Sequence, residues 1–287
     1  MKKQIAIVLA LTLCLGTLAG CGAASSTTPQ NTAPASSAAA PAAPALSGKL
    51  SLGGSTSVEK VVQAMMEAYM AENPGVTITY APTGSGTGIQ GASDGTLDIG
   101  LSSRSLKDEE KAKFTETTFA LDGIAVIVNN ENAVADLDLE TLAKIYKGEI
   151  TNWKEVGGKD GEIVPIGRDA ASGTRDGFES IVNVKEECVY AEEQASTGAV
   201  IASVQSNAGA IGYVSLSAVG DTVKALTIDG IVPSEESVKD GSYKIQRPFV
   251  FAVQSAKASD AAKAFLDWAV SANTTELVKN AGAVPVA

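Results

Sequence analysis

Apolar residues along the chain recur with two different periods, and the two alternate. In "VTITYAP" (76–82) Val76, Ile78 and Tyr80 fall on every second position, the spacing of a half-buried strand. In "SVEKVVQAMMEAYMAENP" Val58, Val61, Val62, Met65 and Tyr69 fall on one face of a helix that Pro74 stops. "KLSLGG" (49–54) reads as a short strand, and "LDIGL" (97–101) and "GIAVIVN" (123–129) read as buried strands. "LDLETLAKIYKG" (137–148) is a helix ending at glycine. "GAIGYV" (209–214) and "PFVFAV" (248–253) are further strands, the last followed by a helical pair carrying Phe265, Leu266 and Trp268. Strand and helix in turn predict an α/β fold with mostly parallel sheets, its methionines and aromatics serving as core.

The first 47 residues follow a different rule. Lys2 and Lys3 precede an apolar run from Ile5 to Leu18, which is a secretory leader and too short for a spanning helix. "LAGC" (18–21) resembles the lipobox of bacterial lipoproteins, which implies a leader over 1–20 and a lipid on Cys21. Residues 22–47 carry no charge and almost no large apolar side chain, so 21–47 reads as a flexible tether. The folded part, 48–287, is large enough for one domain or two lobes. It holds one cysteine, Cys188, so neither a disulfide framework nor a thiolate metal site can form within it. The net charge of −11 becomes −13 once Lys2 and Lys3 are removed, which argues against nucleic acid and anionic bilayers as partners.

Histidine is absent, and with it the Ser-His-Asp and Cys-His nucleophile systems, histidine-ligated zinc and histidine general bases. The GxSxG match "GASDG" (91–95) therefore reads as a loop. "TGSGTGIQ" lacks the lysine a P-loop needs. What does recur is a local arrangement. A strand ends, small hydroxyl-bearing or glycine residues follow, and a helix begins, at "GGSTSV" (53–58), "TGSGTGI" (83–89), "GLSSRSL" (100–106) and "AASGTRDGF" (170–178). Any one of these is an N-cap. Four together, at the carboxyl ends of strands in an open α/β sheet, converge neutral donors and helix dipoles on one place, and the guest such a cluster suits is a small tetrahedral oxyanion.

"GGSTSVEKVVQAMMEAY", "GSGTGI", "DIGLSSR", "LETLAKIYKGEITNW", "SGTRDGFE" and "GAIGYV" occur in the order and spacing of the phosphate-binding proteins that feed ABC phosphate importers of the Pst type, a resemblance running from about residue 50 to 285. It implies a two-lobed periplasmic-binding-protein-like fold of the second type, with lobe one from 48–125 plus 248–287, lobe two from 126–247, and the ligand cleft between them. It further implies an extracytoplasmic, lipid-anchored, monomeric protein without cofactor, metal or chemical turnover, which hands inorganic phosphate to the permease and ATPase subunits of an importer. Carried over residue by residue, the phosphate ligands fall on Thr56, Ser57, Ser85, Ser103, Arg168, Ser172, Gly173 and Thr174. Arg168 would clamp two oxygens with its fork, a geometry lysine cannot supply.

Ser103 departs from the pattern, because the best-known members carry an aspartate there that accepts the proton of phosphate. Three readings stand for Arg104: solvent, an acidic partner, or the ligand. Arg175 sits in the first turn of a helix, where the dipole disfavours a cation, so a carboxylate partner or the opposite lobe weighs equally with a ligand role. Two other functions compete: binding of sulfate, molybdate or tungstate, and a surface-anchored adhesion or sensory module.

Overall fold

The computed structural model describes residues 46–286; the leader, Cys21 and the tether as far as residue 45 lie outside the described residues. Strand and helix alternate from the start: β1 (Gly48–Gly54), α1 (Glu59–Glu72), β2 (Val76–Pro82), α2 (Ser85–Asp94), β3 (Ile99–Ser102) and α3 (Asp108–Lys111). A long strand, β4 (Thr115–Val128), leads to β5 (Asp136–Leu137), α4 (Leu139–Tyr146), β6 (Val164–Arg168), α5 (Gly173–Val182), β7 (Glu192–Gln194), α6 (Thr197–Ser206) and β8 (Ala210–Ser215). After β9 (Lys224–Ala225), β10 (Thr227–Ile228) and α7 (Glu235–Lys239) come β11 (Gln246–Val253), α8 (Asp260–Ala269), α9 (Thr275–Asn280) and β12 (Val284–Pro285).

Most strands join one sheet in the order β2-β1-β3-β11-β4-β8-β6-β7, with β9 and β12 also on β4. The outer pairs β1–β2, β1–β3, β6–β7 and β6–β8 are parallel, as expected of strands linked through helices. The expectation of mostly parallel sheets fails at the centre. There β4 runs antiparallel to β11 and β8, and β11 antiparallel to β3, because β4 carries the chain across the molecule and β11 brings it back.

Pro44–Ala287 is one compact unit, within which apolar side chains segregate by strand face. Along β11, Phe249, Phe251 and Val253 enter a core with Leu50, Leu52, Met65, Tyr69 and Phe265, while Val250 and Ala252 enter another with Ile89 and Phe114. Along the far end of β4, Ile124, Val126 and Val128 join Tyr146, Phe178 and Tyr213, while Ala125 and Ile127 join Ile166, Val200 and Val204. Alternation at period two thus gives each half of the molecule a covered sheet with its own cores. The first half is built on β1–β3 and the adjoining parts of β4 and β11, the second on β6–β8 and the rest of β4. Two crossing strands join them, and Asp122 of β4 stands directly opposite Arg247 of β11 at the crossing.

Two local expectations are corrected. "GASDG" is not a loop: residues 91–94 are the last turn of α2, and Gly95 ends it in the left-handed region. "GLSSRSL" does not open directly into a helix, since α3 starts only at Asp108 and spans four residues. Gly88 of "GSGTG" has a packing role. A Cβ on Gly88 would lie 2.4 Å from Gly54 Cα and 2.5 Å from the Gly53 carbonyl oxygen, so α2 rests directly on the backbone of β1. That approach brings Ser85, the first residue of α2, to the end of β3.

Candidate functional site

Four of the turns named from the sequence meet where the two halves face each other, and a fifth joins them. Thr56 and Ser57 follow β1, Ser85 opens α2, and Ser103 follows β3. From the second half, Arg168 ends β6, Ser172 caps α5, and Gly173 and Thr174 are the first residues of that helix. Ser57 Oγ and Thr174 Oγ1 lie 2.7 Å apart, and Ser85 Oγ and Ser103 Oγ 3.3 Å apart. Gly173 closes on the second pair so tightly that a Cβ there would lie 2.4 Å from Ser85 Oγ and 2.9 Å from Ser103 Oγ. All of these side chains are buried; Ser85 and Ser103 have no exposure at all.

The residue that the sequence reading missed is Thr197, the first residue of α6. Its hydroxyl lies 3.1 Å from that of Thr56 and 3.2 Å from that of Ser57, and its backbone N–H donates to Thr56 Oγ1 at 3.3 Å. The signal was present, because "STG" at 196–198 follows a strand and opens a helix like the turns at 53–58, 83–89 and 170–178.

Capping consumes little of this hydroxyl supply. Neither α1 nor α2 has a side-chain cap. Ser172 Oγ does accept from the Arg175 N–H at 3.3 Å, but accepting leaves its own proton free to donate. The site therefore carries hydroxyls of both halves, backbone N–H groups at the starts of α2, α5 and α6, and the positive ends of their dipoles. A groove of about 370 Å³ opens beside Thr56, Ser57 and Thr197, with Glu59, Lys60 and Gln63 on its wall. A larger cavity of about 520 Å³, lined by Trp153, Asp160 and Asn207, contains none of these hydroxyls.

All four arginines of the chain lie around the cluster, and their partners differ. Arg104 makes a two-pronged bond to Glu110, with both distances 2.8 Å, and its Nε stands 3.6 Å from Asp176. Burial opposes its charge, but Glu110, Asp176 and Glu109 more than offset that and raise its pKa. Arg175 bonds Glu179 and Glu193, each at 2.7 Å, donates to the Arg168 carbonyl at 2.8 Å, and lies over the Tyr190 ring. Of the open readings, acidic partners are thus what the structure gives both residues. Arg247 pairs with Asp122 at 3.0 Å, fully buried at the crossing strands. Burial pushes the Asp122 carboxyl up to about 6 against the pull of Arg247 and Ser215.

Arg168 is different. It is 2% exposed, and its Nε and Nη2 donate to the carbonyls of Gln194 and Ala195 at 3.0 and 3.1 Å. Among the described residues no carboxylate lies within 4 Å of its guanidinium. Burial lowers its pKa, with the neighbouring Arg247 adding to the effect and the Asp169 charge opposing it, yet a guanidinium stays protonated. Its backbone is held by two further bonds, from its N–H to Tyr213 Oη and from Arg175 to its carbonyl. A buried, rigidly aimed cation without a counter-charge is costly alone and is matched by an anion.

No histidine, cysteine, aspartate or glutamate grouping fit to hold a metal ion occurs among the described residues, and no helix among them is long and apolar enough to cross a membrane. Comparison with known proteins agrees in one direction. The profile of the PBP superfamily domain matches residues 36–273. Phosphate-binding protein PstS of Bacillus subtilis is 32% identical over 99% of this chain and 95% of the relative. A candidate phosphate ABC transporter substrate-binding protein of Clostridium perfringens, solved with bound phosphate, is 39% identical and superposes with a TM-score of 0.81 over 84% of this chain and all of the other. An ABC-type phosphate transport receptor from Vibrio cholerae, 32% identical, superposes with a TM-score of 0.69 over 82% of this chain and 99% of the other. With its α/β fold, its five hydroxyl-bearing turns and these likenesses, the chain belongs to the PBP superfamily and, within it, to the PstS family of phosphate-binding proteins.

Proposed function

We propose that this chain is the binding component of an ABC phosphate importer, capturing inorganic phosphate in the cleft between two lobes, 48–125 with 248–287 and 126–247, and releasing it unchanged to the membrane subunits. The observation that carries the reading is Arg168, the one arginine of four without a carboxylate partner among the described residues. In this reading its charge is turned to a cluster whose other members are neutral donors, which suits a small dianion better than an organic acid or a cation. In this reading Thr56, Ser57, Ser85, Ser103, Ser172 and Thr174 donate hydroxyls, Gly173 offers its backbone N–H, and Thr197 joins them. Closing the cleft removes water, so each bond acts at low dielectric, and opening it restores water and frees the anion. Nothing in the cluster activates a nucleophile, so binding without turnover is the activity assigned.

Titration calorimetry of the anion-stripped mature protein with phosphate tests this. Wild type is expected to bind one equivalent. Arg168→Ala is expected to lose at least about thirtyfold, since truncating one partner of a buried charged pair costs about 2 to 5 kcal/mol. A loss below about threefold would remove Arg168 from the role. The anchor on Cys21 places the protein at the outer face of the cell membrane in this reading; labelled fatty acid should enter wild type and not Cys21→Ala.

A further inference from the structure

The guanidinium of Arg104 belongs to the first half of the molecule and the carboxylate of Asp176 to the second. Arg104 follows Ser103 directly, and its backbone is fixed by Ser102, whose Oγ donates to the Arg104 carbonyl at 2.8 Å and accepts from its N–H at 3.2 Å. Both terminal nitrogens of the side chain are spent on its own half, where each donates to Glu110 at 2.8 Å and Nη1 also bonds the Ser105 carbonyl. Only Nε is left, and it stands 3.6 Å from Asp176 Oδ2. Asp176 lies two residues beyond Thr174 on α5 and divides its oxygens, Oδ1 going to Lys185 of its own half at 3.1 Å and Oδ2 facing Arg104. Both side chains are thus pre-set by partners on their own side, so their meeting costs little ordering entropy.

We infer that Arg104 and Asp176 form a latch between the halves, a pair of positioning residues that touch no ligand and hold the cleft shut over the anion. The inference rests on the phosphate reading for its ligand but not for its geometry. The pair sits one and two residues beyond the hydroxyls of Ser103 and Thr174, so it forms when those two turns come together and breaks when they part. A contact made only in the closed form slows release without changing capture. Asp176 has a side chain 31% exposed, so salt screens the latch.

Asp176→Asn and Arg104→Gln are expected to release phosphate about two- to fivefold faster in stopped-flow exchange, with an association rate no slower than that of wild type. They should also lose the salt dependence of release expected of wild type, and the double variant should be no faster than either single one. Lys185→Met, which removes the other partner of Asp176 and leaves the latch, should release at the wild-type rate. Small-angle scattering of the anion-free proteins gives a second readout: both latch variants should be more open than wild type. If wild type binds no phosphate while the variants still open, the latch stands and the phosphate reading falls. If wild type binds phosphate and the two variants match it in release rate and salt dependence, or if Lys185→Met speeds release as much as Asp176→Asn, the latch is overturned.

Discussion

Replacing Gly173 by alanine puts one methyl group into the narrowest contact between the halves. The added Cβ would stand 2.4 Å from Ser85 Oγ, 0.6 Å inside the 3.0 Å limit that real Cβ atoms respect, and 2.9 Å from Ser103 Oγ. Ser85 can escape only by turning its hydroxyl away, and that strips the buried Ser103 N–H of its acceptor, now at 3.1 Å. A buried donor left unsatisfied costs about 1 to 3 kcal/mol, so phosphate affinity should fall about five- to 150-fold. The clash lies between halves and not within either one. Alanine is also the better helix former, by up to about 1 kcal/mol, so the anion-free protein should unfold at the wild-type temperature or slightly above. Calorimetric titration and thermal unfolding, each with and without phosphate, separate the two effects. Affinity within threefold of wild type would refute the reasoning, as would a loss of affinity matched by an equal loss of anion-free stability, because the methyl would then be acting on the fold.

Three other outcomes concern buried polar groups at the crossing strands and in the site. The Asp122 carboxyl should titrate near pH 6 by carbon NMR; its raised pKa means that its contribution to stability is fully present below about pH 4 and is lost as pH rises through about 6, so a midpoint below 4 would contradict the burial argument. Ser103→Asp should weaken sulfate more than phosphate by like-charge repulsion, and Asp169→Asn should narrow the wild-type preference for phosphate; competition titrations at pH 7 decide, and an unchanged ratio in both variants would show that neither position faces the anion.

Much of this architecture can be read locally. β2 covers the seven residues of "VTITYAP" because alternate side chains there are buried on one face and exposed on the other. The strand at "GIAVIVN" proved to be only the far half of β4, because "TETTFALD" ahead of it mixes polar and apolar residues on a strand that is exposed at its start. Of the site, the hydroxyl turns were visible because strand end, small residues and helix start are neighbours in sequence. Thr197 shares that pattern and was passed over among several "ST" pairs. Glu110 and Glu179 lie within six residues of Arg104 and Arg175, but Asp176, Glu193 and Asp122 meet Arg104, Arg175 and Arg247 only through tertiary packing, at separations as large as 125 residues. Asp122 in particular is the buried cross-strand partner of Arg247, a pairing that nothing beside it in the sequence announces.

Discrimination between phosphate and sulfate turns on one proton. Near neutrality phosphate keeps an O–H that sulfate lacks, and only an acceptor facing the anion can read it. Two aspartates, Asp169 and Asp176, lie on the turns that bear the hydroxyls, and a third, Asp98, stands at the other end of β3 from Ser103. Asp98 gives Oδ2 to the N–H and the hydroxyl of Ser51, both at 2.7 Å, and Asp176 is engaged by Lys185 and Arg104. Asp169 differs from both, because its Oδ1 is buried with no hydrogen-bond partner among the described residues, on the loop between Arg168 and Ser172. An unsatisfied carboxylate oxygen costs free energy that a guest bearing a proton offsets and a guest without one makes worse. The Ser103 hydroxyl is indifferent by comparison, since it accepts from phosphate or turns to donate to sulfate. Where the family pattern has a carboxylate after β3, this chain has a neutral hydroxyl, and the carboxylate with an oxygen to spare stands one residue beyond Arg168. That neighbour also explains why the Arg168 charge stays available, since Asp169 acts on it through space without forming the close pair that would neutralise it.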